Sequence, residues 1–148
     1  MNILLIIDMQ SEFPAANNTK TIRECRRLIH KAKKDNNIII VLEYEDYNTT
    51  LPQLTKLLIN YPQAYYVTKS IDNGSKDVSN LIWKRGLKIT DITVCGVNSD
   101  ACVKETSASL AEMGYTINIV KKACNTDCTY FAKEIWKAYP THPNLRKV

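Results

Sequence analysis

The sequence predicts an α/β fold with three layers, in which helices cover both faces of a mostly parallel central sheet. Short apolar runs such as residues 2–7 and 38–42 lack the polar alternation of strands with one face in water. Such runs are typical of strands buried on both faces. Segments with helical spacing separate them, and strands that alternate with helices pair in parallel. A length of 148 residues suits one domain, which we place over residues 1–148.

The first half of the chain alternates strands with helices. The apolar run 2–7 is the first strand, and a polar cap at residues 17–19 begins a helix that runs to about residue 35. Residues 38–42 form the second strand. A short helix is predicted over residues 51–59, because a proline is tolerated in the first turn, and the third strand covers residues 64–68.

The second half continues this alternation. Its predicted elements are a helix over 78–84, a strand over 92–95, a helix over 102–113, a strand over 116–120 and a helix over 130–139. Gly86 and Gly114 follow two of these helices, where glycine commonly ends them. Trp83 and Trp136 fall in helical patterns and are expected in the core. The tail from about residue 140 is expected to be loose.

Composition and charge favour a cytoplasmic protein that binds neither nucleic acid nor a membrane. The net charge of +5 is mild, and basic pairs such as Arg26-Arg27 alternate with apolar residues at helical spacing, which indicates solvated helix faces rather than a nucleic-acid surface. No apolar run approaches the roughly 18 to 20 residues that span a membrane. The first residues do not resemble a signal peptide. The five cysteines lack paired metal-binding spacing, so we expect reduced thiols and no cofactor.

Three polar side chains follow predicted strands. Asp8 follows the first strand, Lys69 follows the third, and a small polar turn after the fourth strand leads to Cys102. The carboxyl ends of parallel strands lie at one edge of the sheet, where such folds bind their ligands. We therefore expect these three residues to lie at the same edge.

Cys102 is the candidate nucleophile. It begins a predicted helix, whose free N–H groups and positive partial charge favour a thiolate. Asp8 can accept the thiol proton and Lys69 can stabilise both anions. Backbone N–H groups of the preceding turn can stabilise an oxyanion, so this set suits attack on a carbonyl and a thioester-type intermediate.

Each residue also has a structural explanation. A carboxylate such as Asp8 often caps a helix or lies on the surface, and Lys69 can be an ordinary solvated lysine. Free cysteines are usually buried, so Cys102 can be a small core residue. The joint placement of the three at strand ends is what favours a catalytic set.

Three motifs in this order resemble those of the isochorismatase-like cysteine hydrolases, which include nicotinamidases and N-carbamoylsarcosine amidase. Residues 5–13 read L-I-I-D-M-Q-S-E-F and are similar to the family's opening strand with its D-x-Q-x-x-F signature. Residues 67–69 read V-T-K. Residues 96–103 read G-V-N-S-D-A-C-V, in which Ser99 stands where the family has threonine. The resemblance covers roughly residues 2–128.

The resemblance implies a Rossmann-like isochorismatase-like hydrolase fold and a catalytic triad. Asp8 would be the base, Lys69 its electrostatic partner and Cys102 the nucleophile. The implied activity is hydrolysis of a small amide or carbamoyl C–N bond through a thioester on the cysteine. Some family members lack the cysteine and cleave a vinyl ether through the aspartate, so this remains an alternative.

The resemblance also assigns roles around the triad. The family carries a non-proline cis peptide in the turn, which corresponds to Val97-Asn98 here. The oxyanion hole would then consist of the backbone N–H groups of Asn98 and Cys102. Gln10 and Phe13 would bind the substrate by shaping the pocket near the aspartate.

Two departures from the family pattern affect the expected function. Nicotinamidases place a D-x-H metal motif after the second strand, whereas residues 43–47 read E-Y-E-D-Y without a histidine, so we expect no metal. The segment that closes the pocket is short, which is compatible with a catalytically inactive binding or interaction protein, or with a homo-oligomer whose neighbouring subunit completes the site. Tyr44 and Tyr47 either line the pocket or are exposed. Cys124 and Cys128 can pair or bind metal, although packing or a loop position is the better explanation.

Overall fold

A computed structural model describes residues 1–128 and 132–148. The strands are β1 (Ile3–Ile7), β2 (Ile38–Tyr44), β3 (Ala64–Lys69), β4 (Asp91–Val97), β5 (Thr116–Asn125) and β6 (Leu145–Lys147). The helices are α1 (Thr19–Lys34), α2 (Pro52–Thr55), α3 (Ser75–Lys84), α4 (Cys102–Glu112) and α5 (Ala132–Lys137), and a 3-10 turn covers Pro14–Asn17. The predicted start of the last helix at residue 130 lies outside the described residues. Within those residues, no helix is both long and apolar enough to cross a membrane.

The predicted three-layer α/β fold is confirmed. The six strands form one sheet in the order β3-β2-β1-β4-β5-β6, and all of their pairings are parallel. Every residue of β1 is buried, because this strand lies in the middle of the sheet and is covered on both faces. The expected polar cap is also present, since the Asn18 side chain accepts a hydrogen bond from the Thr21 N–H at 3.0 Å.

Two layers of apolar side chains hold the helices against the sheet. Leu5 of β1 belongs to the layer that also contains side chains of α3 and α4, such as Val78 and Val103. Leu4 points to the opposite face and packs with α1 and α2, including Ile29. The alternation along one strand therefore supplies both cores, as expected for a period of two residues.

The strand order reverses between β1 and β4, and this reversal positions the site. The chain winds outward from β1 through β2 to β3, then returns to β4 on the other side of β1. Ligands of open α/β sheets bind beyond the carboxyl ends of the strands at such a reversal. Gly96 allows the close approach of β4 to β1 there: its φ is +124°, and a Cβ atom would lie 2.0 Å from the Ile7 carbonyl oxygen.

The expectation of a loose tail from residue 140 is wrong. Residues Leu145–Lys147 pair with β5 as a sixth strand, and Leu145 is buried. Tyr139 is buried as well, and its hydroxyl donates a 2.6 Å hydrogen bond to the Ser99 carbonyl oxygen in the turn before Cys102. The carboxyl-terminal segment thus supports the turn, a long-range contact that the local pattern does not reveal.

Two local expectations are also wrong. The helix predicted over residues 51–59 is reduced to Pro52–Thr55, followed by turns. Trp83 is 81% exposed, although a core position was expected. The core face of α3 is formed by Val78 and Ile82, and one residue further along a helix points about 100° away from that face.

Replacing Gly96 by alanine is expected to destabilise the fold severely. The new Cβ atom would overlap the Ile7 carbonyl and push β4 away from β1, so we expect a loss of more than about 4 kcal/mol in unfolding free energy by urea denaturation. Gly86→Ala is the matched control, because Gly86 also has a positive φ but no atom within 4 Å. It should lose only about 1 to 2 kcal/mol. Equal losses in the two variants would contradict the close-approach argument.

Candidate active site

Asp8 lies at the carboxyl end of β1 in a left-handed backbone conformation. Its φ is +51°, a region that aspartate tolerates better than most residues. Its N–H donates to the Leu42 carbonyl of β2 at 3.0 Å, which continues the sheet for one more residue. The side chain is only 1% exposed, so the chain places a carboxylate in the interior between three strand ends.

Lys69 reaches this carboxylate from two strands away. It ends β3, and two interstrand spacings amount to about 10 Å, so only a long side chain spans the end of β2. Its Nζ atom lies 2.9 Å from Asp8 Oδ2, donates to the Asp72 carbonyl at 2.9 Å and lies 4.3 Å from the centroid of the Tyr44 ring. Gly74 leaves room for the lysine stem, because a Cβ atom there would lie 2.9 Å from Lys69 Cδ.

Cys102 begins α4 and completes the group. Its side chain is 6% exposed, and the charges of both Asp8 and Lys69 act on its thiol. The structure thus brings together all three residues that the strand ends suggested. Their buried arrangement differs from the solvated lysine considered as an alternative, since Lys69 is 1% exposed.

Burial controls the protonation of this group. It raises the pKa of Asp8 above its ordinary value, while the positive charge of Lys69 and the Cys102 thiol act in the opposite direction. Burial, followed by the negative charge of Asp8, raises the pKa of Cys102 to about 12. The expected preference of a helix N-terminus for a thiolate is therefore outweighed, and the resting cysteine is a neutral thiol.

The Asp8 carboxylate retains accepting capacity. Lys69 Nζ pairs with Oδ2 at 2.9 Å, whereas Oδ1 meets no donor in good hydrogen-bond geometry within residues 1–128 and 132–148. A buried carboxylate with unused lone pairs and a raised pKa is suited to accept a proton or a hydrogen bond from a bound molecule.

The turn between β4 and α4 contains the cis peptide that the family resemblance implies, at Val97-Asn98. The Asn125 carbonyl of β5 accepts a 2.9 Å hydrogen bond from the Ser99 N–H and holds the turn in place. In the part of the chain that the structure describes, the N–H groups of Asn98 and Cys102 donate no hydrogen bond. Both amides therefore have no acceptor among the described residues, and one of them belongs to the cysteine itself.

The loop after β5 anchors the same turn through side chains. Asn98 Oδ1 accepts from the Asp127 N–H at 2.7 Å, and Asp127 Oδ1 accepts from the Ala15 N–H at 2.7 Å. Thr126 donates its hydroxyl to Asp100 at 2.7 Å. Sequence reasoning missed these contacts, because they join segments more than twenty residues apart and carry no local pattern.

Gln10 and Phe13 contact the segment that includes Tyr44, Tyr47 and Asn48. The Gln10 side chain accepts from the Tyr44 N–H at 2.8 Å and donates to the carbonyls of Tyr44 and Asn48 at 3.0 and 2.6 Å. It therefore fixes the segment that follows β2. The Phe13 ring packs 4.6 Å from Tyr47 and 6.3 Å from Tyr44, between centroids. Direct contact of either residue with a substrate stays a prediction.

An open cavity of about 550 Å³ adjoins the triad. Its lining consists of Tyr44, Ile71, Asp72, Asn73, Asp100, Ala101 and Glu105. Ala101 immediately precedes Cys102, and Tyr44 and Asp72 contact Lys69. Tyr44 thus lines the cavity, whereas Tyr47 is 45% exposed. The segment after β3 supplies three of the lining residues. In the sequence, only the polar residues Asp72 and Asn73 before Gly74 indicate that this segment could belong to a site.

The residues after β2 do not fit a metal centre. Glu43 Oε2 accepts from the N–H and the hydroxyl of Thr50 at 2.6 and 2.8 Å, so this oxygen is engaged within the loop. No histidine lies in residues 43–47. Within the described ranges, no three histidine, cysteine or acidic side chains are arranged to hold a metal ion. Cys124 and Cys128 are free thiols.

Comparison with known proteins supports this description of the fold. The profile of the isochorismatase domain matches residues 2–133. Similar solved structures include a nicotinamidase of Staphylococcus aureus (17% identity, TM-score 0.77, 92% of this chain and 91% of that chain). They also include the MAR1 ribonuclease of Caenorhabditis elegans (21%, 0.79, 92% and 70%) and N-carbamoylsarcosine amidase of Thermoplasma acidophilum (16%, 0.77, 99% and 94%). Identities this low show a shared fold alone. A search of curated proteins found no match.

The ion pair predicts a strong energetic coupling between its partners. Lys69→Met would leave a buried carboxylate without its counter-charge, so we expect a loss of about 3 to 5 kcal/mol in unfolding free energy at pH 7. The loss should shrink as the pH falls, because Asp8 has a raised pKa and becomes neutral. The double variant Asp8→Asn/Lys69→Met should lose less than Lys69→Met alone. Additive losses in urea denaturation would contradict the coupling.

The thiol pKa predicts a steep pH dependence of alkylation. Because burial raises the pKa of Cys102 to about 12, the thiolate fraction should grow about tenfold per pH unit between pH 7 and 10. The rate of iodoacetamide labelling at Cys102, followed by mass spectrometry, should rise in the same proportion. Exposed Cys128 in the same samples is the internal comparison. A Cys102 rate that levels off below pH 9 would contradict the raised pKa.

Proposed function

This chain belongs to the isochorismatase domain family, and we propose that it is a cysteine hydrolase that cleaves a C–N bond in a small amide or carbamoyl compound. The observation that carries the proposal is the buried group of Asp8, Lys69 and Cys102. It is joined by the backbone N–H groups of Asn98 and Cys102, which have no hydrogen-bond acceptor among the described residues. A thiol, a base and oxyanion donors are the groups that acyl transfer needs.

The first step is attack of Cys102 Sγ on the substrate carbonyl carbon. Asp8 takes the thiol proton as the C–S bond forms, so the nucleophile never has to exist as a free thiolate in the resting protein. The electron pair of the carbonyl moves to its oxygen. The N–H groups of Asn98 and Cys102 stabilise this oxyanion, an effect worth about 3 to 4 kcal/mol per donor where it has been measured.

The second half of the reaction returns the protein to its starting state. Protonated Asp8 gives its proton to the leaving nitrogen, the C–N bond breaks and a thioester remains on Cys102. A water molecule then attacks the thioester carbonyl while Asp8 takes its proton. Collapse of this intermediate breaks the C–S bond, and the proton on Asp8 returns to the sulfur, which leaves a carboxylic or carbamic acid.

Lys69 keeps Asp8 usable as a base. Burial alone raises the pKa of the carboxyl group, and the positive charge 2.9 Å away opposes that effect. The Asp72 carbonyl and the Tyr44 ring hold the lysine from the other side. Asp8 is thus more basic than a solvated carboxylate, while Lys69 favours its ionised form.

The direct test is ammonia release over a panel of small primary amides and N-carbamoyl compounds. We expect turnover by the parent protein and a loss of at least about 10³-fold in kcat/KM for Cys102→Ala, because the nucleophile is removed. Cys128→Ser is the matched control and should retain full activity, since this cysteine is exposed. Equal turnover by the parent and Cys102→Ala would exclude the thiol mechanism. No turnover by the folded parent would favour the alternative of a binding or interaction protein.

A further inference from the structure

The cavity beside the triad is strongly acidic. Asp72, Asp100 and Glu105 line it, whereas the described part of its lining contains no lysine or arginine. The chain as a whole carries a net charge of +5, so the sign at the cavity is opposite to that of the protein. A negative local potential of this kind favours the entry of positively charged molecules.

From this arrangement we propose that the substrate of the hydrolase carries a positive charge, as an ammonium or guanidinium group close to the bond that is cleaved. This inference rests on the proposed function and names the chemical class of its substrate. A cation would sit among the three cavity carboxylates while its amide or carbamoyl carbon faces Cys102, which directly follows the cavity residue Ala101.

The cavity carboxylates are held in place without being neutralised. Asp72 accepts a hydrogen bond from the Tyr44 hydroxyl at 3.2 Å, and Asp100 accepts from the Thr126 hydroxyl at 2.7 Å. Within the described ranges, neither these two nor Glu105 forms a salt bridge. Neutral donors orient a carboxylate and leave its charge available to a ligand.

The buried Asp8 carboxylate independently indicates a ligand with N–H donors. It is connected to the cavity through Lys69, which donates a hydrogen bond to the Asp72 carbonyl and lies against the Tyr44 ring, and both of these residues line the cavity. The Asp8 side chain is 1% exposed and its Oδ2 atom is paired with Lys69, whereas Oδ1 meets no hydrogen-bond donor in good geometry among the described residues. Such an orphaned acceptor is costly unless a bound molecule completes it.

Aromatic rings at the same edge suit a cation as well. Phe13, Tyr44 and Tyr47 pack with ring centroids 4.6 to 6.3 Å apart, and Tyr47 is 45% exposed. Aromatic faces attract ammonium and guanidinium groups, and Lys69 already occupies the Tyr44 face at 4.3 Å. The positive charge of this lysine does not reverse the field, because Asp8 balances it.

Charged thiol reagents test the field at Cys102 without requiring any substrate. The probes are the cation 2-(trimethylammonio)ethyl methanethiosulfonate and the anion 2-sulfonatoethyl methanethiosulfonate, applied to the Cys128→Ser protein, with Cys128→Ser/Cys102→Ala as the blank. The rate of modification of Cys102 by the cation is divided by the rate for the anion. This ratio is then divided by the same ratio measured with 2-mercaptoethanol, which corrects for the different intrinsic reactivities of the two reagents. We expect a corrected ratio of roughly tenfold or more in favour of the cation, which should fall in 0.5 M salt.

Variants then test whether the cavity carboxylates are the source of this charge preference. Glu105→Gln and Asp100→Asn should each lower the corrected ratio by roughly threefold, since each removes one of the three charges and keeps the shape. Glu112→Gln, at the other end of α4, is the matched control and should leave the ratio unchanged. A ratio near one, a preference for the anion, or an equal fall in Glu112→Gln would overturn the proposal. Failure of both probes at Cys102 would also overturn it, because the cavity would then not lead to the thiol.

Hydrolysis assays separate this inference from the function on which it rests. Three primary amides differ mainly in the charge next to the amide group: glycinamide carries a cation there, propionamide a neutral group and malonamate an anion. Faster release of ammonia from glycinamide would support the inference, whereas a preference for malonamate would overturn it and leave the hydrolase function standing. A cation-favouring reagent ratio without hydrolysis of any amide would overturn the proposed function and support the charge preference of the cavity.

Discussion

The buried ion pair between Asp8 and Lys69 is the interaction on which the rest of the site depends. Two opposite charges with 1% exposure are tolerated in the interior only as partners. Because they come from β1 and β3, their contact ties three adjacent strand ends together. It also sets the chemistry, since it holds a carboxylate in the interior where burial increases its basicity and where the Cys102 thiol lies within its field.

Glycines make room for that pair and for the turn beside it. Gly74 lets the Lys69 stem pass where a side chain would collide with it, and Gly96 lets β4 meet β1 where the strand order reverses. The turn is then held from β5 by Asn125 and from the carboxyl-terminal segment by Tyr139. Four separate parts of the chain thus fix one cysteine relative to one carboxylate. Preorganisation of this kind is what acyl transfer requires of a protein.

Charge divides the site into two zones. The inner zone is neutral overall, because Asp8 and Lys69 balance each other and the cysteine is protonated. The outer zone carries three carboxylates that no described basic residue neutralises. The chain as a whole carries a net charge of +5, so the outer zone is opposite in sign to the protein. The inner zone contains the candidate reacting groups. The outer zone carries the charge that a molecule entering the cavity meets first.

The class of fold and the three central residues of the candidate site could be predicted from the amino-acid sequence alone. Apolar runs buried on both faces have a strong local signature, and polar residues after parallel strands must share an edge because of topology alone. The folded chain was needed to show that Lys69 reaches Asp8, that Tyr139 supports the turn, that a sixth strand extends the sheet, and that three carboxylates line one cavity, namely those of Asp72, Asp100 and Glu105. The physical reason is that these contacts join segments distant in the chain. Burial, which shifts the pKa of Asp8 and Cys102, also exists only once the strands have packed.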